Sequence, residues 1–159
     1  MKEIRLAYYS KPADTFRFTD LEPILAASRR NNERLQVTGL LGLTSTHFMH
    51  YLEGSREAVS TIFSKINQDR RHRDVTFYGV GEIEDRLVPE DPMAFVSGKA
   101  FSEELCMRLY GRKTIIPSLL NQRAAVALFA ALAQNRPQMQ ASEDLLQEAL
   151  QDDYFEISF

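Results

Sequence analysis

"VTGLLGLTSTHFMHYLEG", Val37 to Gly54, holds two apolar runs on either side of Ser45-Thr46. Its length alone would allow a helix, but Gly39 and Gly42 interrupt it and the polar pair marks a turn, so it predicts a hairpin of two strands. That reading decides the fold, because the sequence on each side supplies a helix and a further strand.

Upstream, "IRLAYYS" (Ile4 to Ser10) alternates, with Ile4, Leu6 and Tyr8 on one face and Arg5, Ala7 and Tyr9 on the other. "TDLEPILAASRRNN" then sets Leu21, Ile24, Leu25 and Ser28 at helical spacing and carries Asn32 on the same face. Pro23 has no amide hydrogen and fits a first turn, which points to Asp20 as the N-cap. Downstream, Ser55 can cap "REAVSTIFSKINQDRRH", whose buried stripe is Val59, Ile62, Phe63 and Ile66. "DVTFYGVGEI" predicts a fourth strand, and "MAFVSG" a short fifth strand after the polar link "EDRLVPEDP".

The order βαββαββ with right-handed crossovers predicts an α+β, ferredoxin-like sandwich over residues 1–98. Two helices cover one face of a mainly antiparallel sheet, and strand one lies beside strand three. Ala7, Tyr9, Met49 and Tyr51 make the other face apolar too, so it needs a cover or a partner subunit. Residues 99–159 read as a helical extension built from "SEELCMRLYG", "PSLLNQRAAVALFAALAQ" and "SEDLLQEALQ". It is expected to cover that face in part and to serve packing, oligomerisation or output.

A chain of 159 residues that is 44% hydrophobic suits one domain with a sizeable core. Its net charge of -3 gives no general reason to approach nucleic acid or an anionic membrane. The single cysteine, Cys106, excludes an intramolecular disulfide and a cysteine zinc cage, and reads as a small core filler. The N-terminus enters a strand pattern directly, and no apolar run has the length to span a bilayer. The expectation is a cytoplasmic protein that makes no direct contact with nucleic acid or membrane. No metal cluster, phosphate cradle or nucleophile with a base stands out, so an enzyme is not expected.

The pattern forces several polar side chains onto buried faces. Tyr8 shares the helix-facing side of strand one with Ile4 and Leu6, and His50 shares a face of strand three with Phe48 and Leu52. Neighbouring strands would set the two side by side. Ser28 and Asn32 extend the inner face of the first helix, while Lys65 and Asp69 flank the stripe of the second. A phenol, an imidazole, an amide, a hydroxyl and a carboxylate around one groove suit a planar heterocycle with hydrogen-bonding edges. Each also has a structural alternative: Tyr8 as a rim tyrosine, Asn32 as a helix end, Lys65 and Asp69 as a solvated pair, His72 at a helix C-terminus, His50 as a satisfied core histidine.

Taken together, these residues resemble the BLUF family of flavin-using blue-light sensors over roughly residues 3 to 97. The resemblance rests on Tyr8 and Ser10 in "AYYS", on Asn31, Asn32, Thr38 and Gly39 in "RRNNERLQVTGLL", on the strand end Phe48-x-His50-x-Leu52-Glu53-Gly54, and on "QDRRH". It implies a flavin, FAD or FMN, inserted between the two helices. Asn32 would hold the ring edge, with Ser28, Asn31, Lys65, Asp69, Arg71 and His72 lining the rest. Tyr8, His50 and Met93 would form the photochemical set, Tyr8 giving an electron and then a proton on excitation. It also implies a homo-oligomer that signals to a downstream regulatory protein.

Two positions depart from the family. His50 stands where the family carries the glutamine that bridges tyrosine and flavin, and Asp91 stands where a tryptophan often lies. Glutamine reverses donor and acceptor by turning one amide, whereas neutral imidazole offers one of each on opposite sides of a ring. The expectation is therefore a blue-light receptor with an altered or lost photocycle, the alternative being a light-insensitive scaffold for protein interaction.

Overall fold

The computed structural model describes residues 2–135. Its elements are β1 (Glu3–Pro12), α1 (Leu21–Arg34), β2 (Thr38–Leu43), β3 (Phe48–Gly54), α2 (Arg56–Gln68), β4 (His72–Ile83), β5 (Ala94–Val96), α3 (Glu103–Tyr110) and α4 (Gln122–Asn135). The five strands form one sheet in the order β4-β1-β3-β2-β5. Neighbours are antiparallel except β5, which runs parallel to β2 at the edge. This is the expected ferredoxin-like α+β sandwich, and strand one lies beside strand three.

The hairpin forms where Thr44 closes the turn, its amide donating to the His47 carbonyl (2.9 Å) and its hydroxyl accepting from the His47 amide (3.0 Å). Gly39 is required by close approach, since a Cβ there would stand 2.3 Å from the Tyr51 carbonyl oxygen. Period-two alternation then sorts the strands into two layers. Ile4, Leu6, Tyr8, Leu41, Phe48 and Leu52 pack beneath α1 and α2 with Leu21, Leu25, Val59 and Ile62. Ala7, Leu40, Met49 and Tyr51 pack on the opposite side against Leu105 of α3 and Leu128, Phe129 and Leu132 of α4. Helices α3 and α4 thus cover the second apolar face, as the strand pattern required.

Some local expectations change. Asp20 holds the N-cap position of α1 but does not cap it through its side chain. A short 3-10 turn over Phe18–Asp20 precedes the helix, and the Asp20 carboxylate turns back to accept the Arg17 amide at 2.8 Å. Ser55 caps α2 as expected, its Oγ accepting the Ala58 amide at 3.2 Å. His72 is the first residue of β4 and its ring reaches back to the C-terminal turn of α2, as expected of a histidine near that helix end. The helix expected from Pro117 begins instead at Gln122, because Pro117–Leu119 forms a separate 3-10 turn and Leu120 is extended. The Asn121 carboxamide oxygen then accepts the Ala124 amide at 2.8 Å. "SEDLLQEALQ" lies outside the described residues.

The link between β4 and β5 is pinned by a carboxylate that the sequence reading passed over. Glu53 is fully buried on β3 and accepts from the Leu87 amide (2.9 Å), the Val88 amide (2.8 Å) and the Thr38 hydroxyl (3.1 Å). Arg86 pairs with Glu3 and donates to the Thr38 hydroxyl and the Gln36 carbonyl. On the other side of the link, Asn32 donates to the Pro92 carbonyl at 2.7 Å and Arg29 to the Met93 carbonyl at 3.2 Å. The position of β5 is therefore tied to both β3 and α1.

Candidate functional site

Beneath α1 and α2 a cleft opens that is lined by Tyr8, Ile24, Ser28, Leu41, Phe48, His50, Ile66, Asp69, Arg71 and His72. Its enclosed part is about 70 Å³, and the empty space reaches about 470 Å³ with the open mouth included. Six of the ten sequence-derived site residues meet here: Tyr8, Ser28, His50, Asp69, Arg71 and His72.

Register sets the centre of the cleft. Tyr8 and His50 face each other directly across β1 and β3. The Tyr8 hydroxyl lies 2.7 Å from His50 Nδ1, with ring centroids 5.3 Å apart and nearly edge-to-face. Both side chains are almost completely buried. Burial, with the nearby His72, pushes the His50 pKa down to about 3, so the imidazole is neutral at physiological pH. Burial, with Asp69, holds the Tyr8 hydroxyl above the usual phenol range, so Tyr8 keeps its proton.

The tautomer follows from counting partners. If Tyr8 O–H donates to Nδ1, one buried group is left without a partner, the Nε2–H. If Nδ1–H donates to Tyr8, both the phenol hydrogen and Nε2 lack one. Among the described residues His50 Nε2 is buried and unpartnered, and the first arrangement leaves fewer buried orphans. His50 therefore carries its hydrogen on Nε2.

His72 is fixed in the same way. Its Nε2 lies 2.7 Å from the Ile66 carbonyl, which can only accept, so Nε2 donates and Nδ1 is left to the hydroxyl of buried Ser10 at 2.8 Å. This joins the end of α2 to β1 and β4 at the cleft floor. At the mouth, Arg71 grips Asp69 through Nε (2.9 and 3.1 Å) and Nη2 (2.6 Å). The Arg71 hydrogen bonds hold the Asp69 carboxyl below the usual range, and Asp69 raises Arg71 in turn.

The remaining four residues stand apart. Asn32 is buried on α1, four residues on from Ser28 and on the same face, with its Oδ1 unpartnered. Asn31 is half-buried and Lys65 exposed. Lys65 does not pair with Asp69, because α2 ends at Gln68 and Asp69 takes an extended conformation that hands its carboxylate to Arg71. Met93 is buried in the core beneath the helices and does not line the cleft. Ile24, Leu41, Phe48 and Ile66 also line the cleft and were not assigned to it from the sequence. The signals were there, since Ile24 precedes Ser28 by one turn and Leu41 is the register partner of His50.

The unpartnered atoms test what the cleft fits. The buried donor at His50 Nε2 calls for an acceptor on a ligand in the cleft, and Asn32, outside the cleft lining, keeps a buried acceptor at Oδ1 on the inner face of α1. A flavin ring presents carbonyl oxygens and a ring N–H along one edge, and the apolar lining suits its flat faces. The residues fit the group.

Fold and cleft define a small α+β ligand-binding domain. A family model described as BLUF, sensors of blue-light using FAD, matches residues 4–94, and the chain belongs to that family. It is thus a blue-light sensor domain with flavin as its cofactor. The photoactivated adenylate cyclase subunit beta of Euglena longa is 33% identical over 86 residues, 54% of this chain and 10% of that protein. The blue light- and temperature-regulated antirepressor BluF of Escherichia coli (strain K12) is 30% identical over 117 residues, 74% of this chain and 27% of that protein. The chain thus spans a minor part of these curated relatives. Among solved structures, "BlsA photo-activated state" is 26% identical with a TM-score of 0.79, covering 87% of this chain and 99% of that one. "BlrB - a BLUF protein, dark state structure" is 27% identical with a TM-score of 0.65, covering 84% and 96%.

Proposed function

We propose that the chain is a BLUF blue-light receptor whose photocycle is altered or lost because His50 replaces the relay glutamine between Tyr8 and the flavin. The observation that carries this reading is the buried 2.7 Å Tyr8–His50 bond with Nε2 left unpartnered. His50 Nε2 and Asn32 would meet the ring edge, and Ser28, Asp69, Arg71 and His72 would line the rest. Asn31, Lys65 and Met93 come from the resemblance alone. When bound, the flavin supplies the absorption of blue light and, once excited, an acceptor for an electron from Tyr8.

Imidazole changes what the relay can do. With Nδ1 engaged by Tyr8, only Nε2 is left to face the ligand, and it is a donor. Turning it into an acceptor requires a proton to leave Nε2 and another to reach Nδ1, whereas an amide needs only to reverse. If Nδ1 takes the Tyr8 proton while Nε2 keeps its own, a cation forms in a buried pocket where burial and His72 both oppose it. In the ground state such a cation gives its proton back to Tyr8, so neither route offers the simple reversal open to an amide, and the photocycle is altered or lost.

The wider reading follows the family. Residues 1–98 sense, and residues 99–159 pack, assemble or relay to a downstream regulatory protein in a cytoplasmic homo-oligomer. Its support is the placement of α3 and α4 on the sheet face opposite the cleft. Reconstitution with FAD tests the core of the proposal. A yellow protein with flavin absorption is expected, and a colourless protein that cannot be loaded would overturn it.

A further inference from the structure

On the sheet face opposite the cleft, Arg5, Asn121, Gln122, Arg123 and Val126 line a second, open cavity of about 440 Å³. We infer that it is an anion site that takes a carboxylate or phosphate group between the Arg5 and Arg123 guanidinium groups. This goes beyond light sensing and does not depend on the flavin.

Arg5 carries the argument. Its Nε is buried and, among the described residues, has no hydrogen-bond partner, although every guanidinium N–H is a donor. The carboxylate opposite it in register is Glu53, and both oxygens of Glu53 are already engaged by Thr38, Leu87 and Val88. Among the described residues, neither Arg5 nor Arg123 takes part in an ion pair. Arg5 lies against β4 at Gly81, where a Cβ would meet its Nη2 at 3.4 Å, and Gln122 sits on Gly79, where a Cβ would meet its amide carbon at 2.4 Å. Two glycines on one strand thus leave bare backbone beneath the polar lining. The start of the 14-residue α4 at the rim adds its positive end.

A planar guanidinium fork matches a carboxylate or phosphate through paired hydrogen bonds, and a second arginine completes the charge balance. Two sources share this chemistry. One is a free anion such as phosphate. The other is the chain itself, since residues 137–159 hold Glu143, Asp144, Glu148, Asp152, Asp153 and Glu156 and neither Lys nor Arg.

The test follows the Arg5 Nε–H signal by nitrogen-15 NMR in the full chain at low ionic strength, assigned by its loss in Arg5→Gln. Exposed Arg123 allows Arg123→Gln without disturbing the core. For a free anion, inorganic phosphate should shift the signal saturably, with at least tenfold weaker apparent affinity in Arg123→Gln. For the acidic segment, the signal should be protected from exchange before phosphate is added, and protection should vanish when all six acids are changed to amides. An unprotected signal that moves only linearly with phosphate, equally in both proteins, would overturn the site.

Discussion

Replacing His50 by glutamine should make the protein more resistant to mild acid. His50 has a pKa of about 3 in the folded chain, against roughly 6.5 for histidine in an unfolded one. The unfolded state therefore binds more protons between these values, and stability rises with pH across that window. The contribution is fully present above the unfolded value and is lost as pH falls from about 6.5 toward 3. Between pH 7 and pH 5 the difference in proton binding is worth about 2 kcal/mol of stability. With a urea slope of about 2 kcal/mol per molar, the wild-type midpoint should fall by about 1 M more than that of His50→Gln over the same interval. Urea unfolding of both proteins at the two pH values measures this directly, because the other titrating groups are common to both. Parallel losses would refute a buried neutral imidazole, and with it the assigned tautomer.

Other predictions follow from neighbouring contacts. Tyr8→Phe removes the donor to His50 Nδ1 and should cost about 1–3 kcal/mol in urea unfolding through the buried acceptor left behind, while abolishing any light-induced spectral change. Glu53→Gln leaves one oxygen where two now accept three hydrogen bonds, and should cost about 1–3 kcal/mol and raise amide exchange at Leu87 and Val88. Gly39→Ala drives a Cβ against the Tyr51 carbonyl and should lower stability by about 1–3 kcal/mol, read from the same urea midpoint. Asn32→Ala removes both the bond to Pro92 and the free acceptor, and should weaken FAD binding at least tenfold in a fluorescence titration.

Much of this structure was legible because alternation and register leave little freedom. Once Gly39 and Gly42 ruled out a helix, the hairpin paired β2 with β3, the βαββαββ order set β3 beside β1, and the period-two pattern put Tyr8 and His50 on one face. The two apolar sheet faces likewise demanded the cover that α3 and α4 provide. What escaped the sequence depended on side chains reaching beyond their own element. Glu53 reads as one polar residue in an apolar strand, and its partners lie 34 and 35 positions away in an irregular link. Asp69 looked like the i,i+4 partner of Lys65 until the helix ended one residue earlier. Met93 shares the motif of the photochemical set, but packing draws it into the core.

The central claim is that a neutral, buried histidine now occupies the relay between Tyr8 and the flavin. Absorption spectra of FAD-loaded protein, dark and under blue light, with His50→Gln measured alongside, test it most directly. A flavin band in both proteins, with a persistent light-induced red shift only in His50→Gln or much stronger there, is the predicted result. An equal, persistent red shift in both proteins would contradict it.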